Sequence, residues 1–83
     1  MNDKKHDGLP VKGYVPQSNE NVRLVNENKL IEEEMLRRLD DLSVMPDIDK
    51  RWLAVGRTHI EQAFMAINRS VFKPERVKFS ADE

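Results

Sequence analysis

The sequence predicts an all-α chain: an N-terminal arm leading into an antiparallel two-helix hairpin that assembles as a compact homo-oligomer. Three observations carry this reading. Gly8, Pro10, Gly13 and Pro16 interrupt the first 17 residues at short intervals, so no helix can start there. Two long stretches follow in which apolar residues recur at helical spacing, joined by a short connection at residues 45–49. The second stretch, residues 51–74, is apolar on more than one face, although a helix in a two-helix chain needs only one apolar stripe.

The arm comprises residues 1–17. Its first eight residues are polar and expected to fray. Leu9, Val11, Tyr14 and Val15 are apolar enough to dock, although a loose arm is the equally plain reading. Helix one is expected from Ser18, a good N-cap, with Glu20 placed where a negative charge suits the helix dipole. Its main stripe reads Leu24, Ile31, Met35, Leu39 and Leu42, with Asn28 falling inside it. A neighbouring stripe, Val22, Val25 and Leu36, contains Lys29. Glu32, Glu33 and Glu34 with Arg37 and Arg38 read as a solvated face carrying i,i+4 pairs. The helix should stop near Ser43 or Val44, because Pro46 disfavours helical geometry at Met45.

The short connection implies antiparallel packing. Helix two is expected from an Asp47 N-cap to about Phe72, where Pro74 ends it. One stripe, Leu53, Ile60, Phe64, Ile67 and Val71, is assigned to helix one, with Gly56 and Ala63 beside it permitting close approach. Rotated by about 100° lies Ala54, Thr58, Glu61, Met65, Asn68 and Phe72. That stripe reads either as ordinary surface with two exposed apolar residues or as an oligomer interface enclosing polar groups. The hairpin domain is thus residues 18–74, and residues 75–83 form a polar tail.

An 83-residue chain holds one domain at most and buries little of its surface alone. It has no Cys, so disulfides and Cys-based zinc sites are excluded as staples, which leaves oligomerisation. The 14 basic and 15 acidic side chains give a net charge of −1, and no segment is a basic arm. Duplex DNA is therefore not an expected partner, whereas a small anion held by a few placed cations is compatible. No apolar run is long enough for a membrane span, and the N-terminus lacks the apolar core of a signal peptide. The default expectation is a cytoplasmic protein.

The residues supply nothing for catalysis. His6 and His59 do not form the paired-His zinc motif, and no metal is expected. His59 reads as a packing or hydrogen-bonding residue. Arg57 and Glu61, four apart, read as a structural pair. Lys29, in a half-apolar stripe, either snorkels to solvent or meets a phosphate. Lys12-Gly13-Tyr14 offers a charge, a position where backbone can approach a ligand closely, and a ring for a base with a hydroxyl for a phosphate.

Lys12-Gly13-Tyr14, then Asn26 and Lys29, then Arg57-Thr58-His59-Ile60-Glu61-Gln62, Phe64-Met65 and Asn68-Arg69 resemble the small phage sponge proteins that counter CBASS immunity. That family shares its helical hairpin with the anti-Thoeris sponges. The resemblance spans residues 11–74 and includes the fifteen-residue distance from Tyr14 to Lys29. It lapses across residues 32–38, and the loop at residues 45–49 is short for the family. It implies a compact homohexamer without catalysis or cofactor that withholds cyclic oligonucleotides from host effectors. It also implies cyclic dinucleotides such as 3′,3′-cGAMP at protomer interfaces, touched by Tyr14 and Lys29, with Lys12, Gly13 and Arg69 as further candidates. Some members hold cyclic trinucleotides in a second kind of pocket, whose residues have no match here. An anti-Thoeris-type sponge for cyclic ADP-ribose isomers and a structural or protein-binding hairpin without nucleotide are the competing readings.

Overall fold

The computed structural model describes residues 11–82, so the expectations for His6, Gly8, Leu9 and Pro10 lie outside the described residues. Two helices, α1 (Asn19–Ser43) and α2 (Lys50–Phe72), lie antiparallel, and a short 3-10 turn (Ser80–Asp82) follows. There is no strand among the described residues.

Each helix begins where a short side chain can take the orphan N–H groups. Ser18 stands in extended geometry, and its Oγ accepts from the Asn21 N–H at 3.1 Å. Ser18→Ala is expected to cost about 1 kcal/mol, read as a lower Tm with unchanged helical content. A melt identical to wild type would show that the cap does not anchor α1. The second helix starts two residues later than expected. Asp49, not Asp47, is the N-cap, accepting from the N–H groups of Arg51 at 3.0 Å and Trp52 at 3.1 Å. The reason lies in Ile48, which is half-buried and stands just before the cap, while Leu53 stands four residues after it. Those are the positions of a hydrophobic staple, which a helix starting at Asp47 would break. α2 ends at Lys73, whose left-handed φ of 47° reverses the chain before Pro74.

Which face of each helix is buried is corrected in part. The only buried apolar residue among those described is Val25, at 3 % exposure. Leu24, Val25, Asn28, Glu32, Leu36, Leu39 and Leu42 face inward on α1, so Leu24, Leu39 and Leu42 of the expected stripe are half-buried. Ile31 and Met35, expected in the core, are 50 % and 41 % exposed. On α2 the stripe Leu53, Ile60, Phe64 and Val71 is half-buried as expected, but Ile67 is 46 % exposed. Asn68 takes its place and accepts from Asn28 Nδ2 at 3.0 Å. Polar groups taken out of water need partners, and this amide pair satisfies one group of each residue within the seam between the helices.

A second cross-hairpin contact agrees in register. Arg57 reaches Asp40 at 2.7 Å, so it does not make the expected pair with Glu61. The step of twelve residues from Asn28 to Asp40 is answered by eleven back from Asn68 to Arg57, as antiparallel packing requires. Arg37 pairs with Glu33 at 2.9 Å on the solvated face, whereas Glu32 turns inward and is half-buried. Arg23 bridges Glu20 and Glu27, and its hydrogen bond holds the Glu20 carboxyl below its ordinary pKa.

A two-helix layer this thin cannot enclose a core. Its radius of gyration is 18.1 Å, against about 12 Å for a compact domain of this length. No described helix is long and apolar enough to cross a membrane.

Candidate functional site

The site begins with the arm. Tyr14 N–H donates to the Val11 carbonyl at 2.9 Å, closing a turn with Lys12 and Gly13 at its centre. Gly13 has a φ of 84°, the positive value that the third position of a type II turn demands. The close approach that Gly13 makes within the chain is to the C-terminal segment: its carbonyl accepts from the Glu75 N–H at 2.9 Å.

Beyond the turn, Gln17 ties the arm to the far end of the hairpin. Its Nε2 donates to the Val15 carbonyl at 2.7 Å and to the Phe72 carbonyl, at the end of α2, at 2.9 Å. Asn21 Nδ2 donates back to Gln17 Oε1 at 3.2 Å. The arm therefore docks, and Gln17 is a residue that sequence reasoning missed. A glutamine before an N-cap carries no signal of a partner 55 positions away.

These ties lay Tyr14 beside the last turns of α2. Tyr14, Val15, Val22, Met65, Arg69 and Phe72 line an open recess of about 470 Å³. Lys29 lines the adjoining recess of about 410 Å³ with Val25, Glu32 and Glu61. Met65, Asn68 and Phe72 line both recesses, so the two form one trough on one face of the hairpin. Each volume lies within the range of small-molecule sites.

Of the five residues singled out from the sequence, Tyr14 and Arg69 share a recess and Lys29 lies in the next one. Lys12 and Gly13 line a third recess, which Tyr14 also lines. Arg69 also sits in the last turn of α2, where a cation suits the helix dipole irrespective of any ligand. Tyr14 is 56 % exposed and Met65 68 %. The trough is thus mostly apolar, with a phenol and two cations along it. Glu32 and Glu61 flank Lys29, so that half carries more negative than positive charge within one protomer. Among the described residues no three His, Asp or Glu side chains approach closely enough to hold a metal ion.

The antiparallel pair with its docked arm is a small helical hairpin that carries its candidate site as an open trough on one face. A protein-family model, the hairpin domain of Acb2/Tad1, matches residues 7–72. The chain therefore belongs to the Acb2/Tad1 hairpin-domain family, the anti-CBASS and anti-Thoeris sponges. That family consists of non-catalytic binders, and membership fits a sponge role for cyclic nucleotides. No curated protein matches the chain.

Proposed function

We propose that this protein is an anti-CBASS sponge that binds cyclic dinucleotides of the 3′,3′-cGAMP type in the infected host's cytoplasm and withholds them from effectors. The observation that carries the proposal is the trough. It joins the Tyr14 recess to the Lys29 recess on one face, as a ligand with both bases and phosphates requires. Tyr14 supplies a stacking surface beside the apolar Val22, Met65 and Phe72. Lys29 and Arg69 supply charge-assisted bonds to phosphate, with Lys12 and Gly13 at the edge of the site.

One protomer offers an open half of such a site. A two-fold related copy would supply a second Tyr14 and Lys29, matching the pseudo-symmetry of a cyclic dinucleotide. Its cations would offset the carboxylates beside Lys29. Exposed Ile31, Met35 and Ile67 leave apolar surface for such copies to cover, in keeping with a homohexamer. The family also takes in anti-Thoeris sponges, so cyclic ADP-ribose isomers are the competing ligands.

A thermal-shift screen of 3′,3′-cGAMP, a cyclic trinucleotide and cyclic ADP-ribose, with native mass measurement, tests the proposal. At a hundredfold excess over Kd, 3′,3′-cGAMP is expected to raise Tm by about 10 °C or more. A shift with cyclic ADP-ribose alone would reassign the ligand class, and no shift with any probe would leave a hairpin without nucleotide.

A further inference from the structure

We propose that the segment following α2, residues 73–78, is part of the ligand site. Folded over the arm, it brings Arg76 and Lys78 beside Lys12 as a cationic seat for a phosphate of the nucleotide whose base rests on Tyr14. The inference rests on the nucleotide-binding reading above and deepens it.

The segment is held in place by backbone geometry. Lys73 in left-handed conformation turns the chain back, and Pro74 lines the Tyr14 recess. The Glu75 N–H then bonds to the Gly13 carbonyl at 2.9 Å. A Cβ at position 13 would lie 2.3 Å from the Glu75 carbonyl oxygen. Any other residue there would have to push the segment away. The docking thus uses both the positive φ of Gly13 and its missing side chain.

The result is a recess of about 350 Å³ lined by Lys12, Gly13, Tyr14, Glu75, Arg76 and Lys78, with Val77. It holds three cations and one carboxylate, the reverse of the balance around Lys29. The ion pairs among the described residues join Arg23 to Glu20 and Glu27, Arg37 to Glu33 and Arg57 to Asp40, so Lys12, Arg76 and Lys78 enter none of them. Tyr14 lines this recess and the apolar one. Apolar surface for a base and cations for a phosphate therefore meet at one ring. The family match ends at residue 72, so Arg76 and Lys78 are contributions of this chain outside the matched domain.

The experiment is calorimetry of wild type and the double variant Arg76→Gln, Lys78→Gln with 3′,3′-cGAMP, a cyclic trinucleotide and cyclic ADP-ribose, at low and high salt. The variant is expected to bind the probe preferred by wild type roughly tenfold or more weakly. Its affinity should also depend less steeply on salt, a change that mere loss of packing would not produce. Lys78→Arg should retain wild-type affinity. If the double variant alters oligomer mass, the single variants Lys12→Gln and Arg76→Gln give the same readout. Equal affinity and salt dependence in wild type and variants overturns this inference and leaves the sponge reading standing. A wild type that binds none of the probes overturns both.

Discussion

Tyr14→Ala is expected to weaken 3′,3′-cGAMP binding between about 30-fold and about 10⁴-fold while leaving the oligomer's mass unchanged. Stacking of a base on an aromatic ring contributes roughly 1–3 kcal/mol. A site made from two related protomers would lose that twice, about 2–6 kcal/mol in all. The ring is 56 % exposed, and the arm is held by backbone bonds and Gln17, so the hairpin should survive the change. Tyr14→Phe separates ring from hydroxyl: it should keep most of the affinity if stacking dominates. Lys29→Ala should also weaken binding severely, through the lost phosphate partner. Its neighbours Glu32 and Glu61 would then face the anion uncompensated. Calorimetry giving wild-type affinity for both Tyr14→Ala and Lys29→Ala would sink the assignment of these residues.

Val25→Asp is expected to open the hairpin. Val25 is 3 % exposed and is the single buried apolar side chain among the described residues. A carboxylate there would lose water in the seam between the helices, and Lys29, one turn on in the same recess, would have to leave its own place to meet it. Burying a charge without a well-placed partner costs several kcal/mol, on the order of 3 or more. A small protomer has little stability in reserve. Circular dichroism should show loss of the cooperative melt, and 3′,3′-cGAMP binding should vanish with it, because Val25 also forms the floor of the Lys29 recess. Val25→Ala, which removes only packing, should cost about 1–2 kcal/mol and keep the fold. A stable, cooperative Val25→Asp protein would show that the buried seam does not hold the two helices together.

Much of the local structure was legible because its causes are local. Ser18 caps α1 through a bond to the third residue after it. Pro46 and Pro74 end helices by excluding helical geometry in their own neighbourhood. Gly13 is legible as a position of close backbone approach, although the sequence does not show that it closes a turn or that the C-terminal segment is what approaches it. The family resemblance, which the family match bears out over residues 7–72, was carried by short motifs such as Asn68-Arg69. Even Asn28 stands out in the sequence as polar within an apolar stripe, although the stripe does not reveal its partner.

What was not legible needed a second element. Periodicity locates an apolar face only to within about a third of a turn, and α1 has two adjacent candidates. Choosing between them required Asn68, forty residues away, to which Asn28 donates. In the same way, Arg57 could be read as pairing with Glu61 on its own helix until Asp40 came within 2.7 Å from the other. Asp47 and Asp49 are equivalent caps by composition; the inward Ile48 decided between them.

The sequence by itself determined the two helices, their punctuation, the absence of disulfides and the residue types suited to a nucleotide, since each depends on bonds a few residues long. Only the tertiary structure decided the rotation of the helices, the docking of the arm through Gln17 and the folding of residues 73–78 over Gly13. Those depend on hydrogen bonds and close contacts between segments far apart in the chain. No pattern of spacing within a single segment encodes which distant partner a polar group will meet.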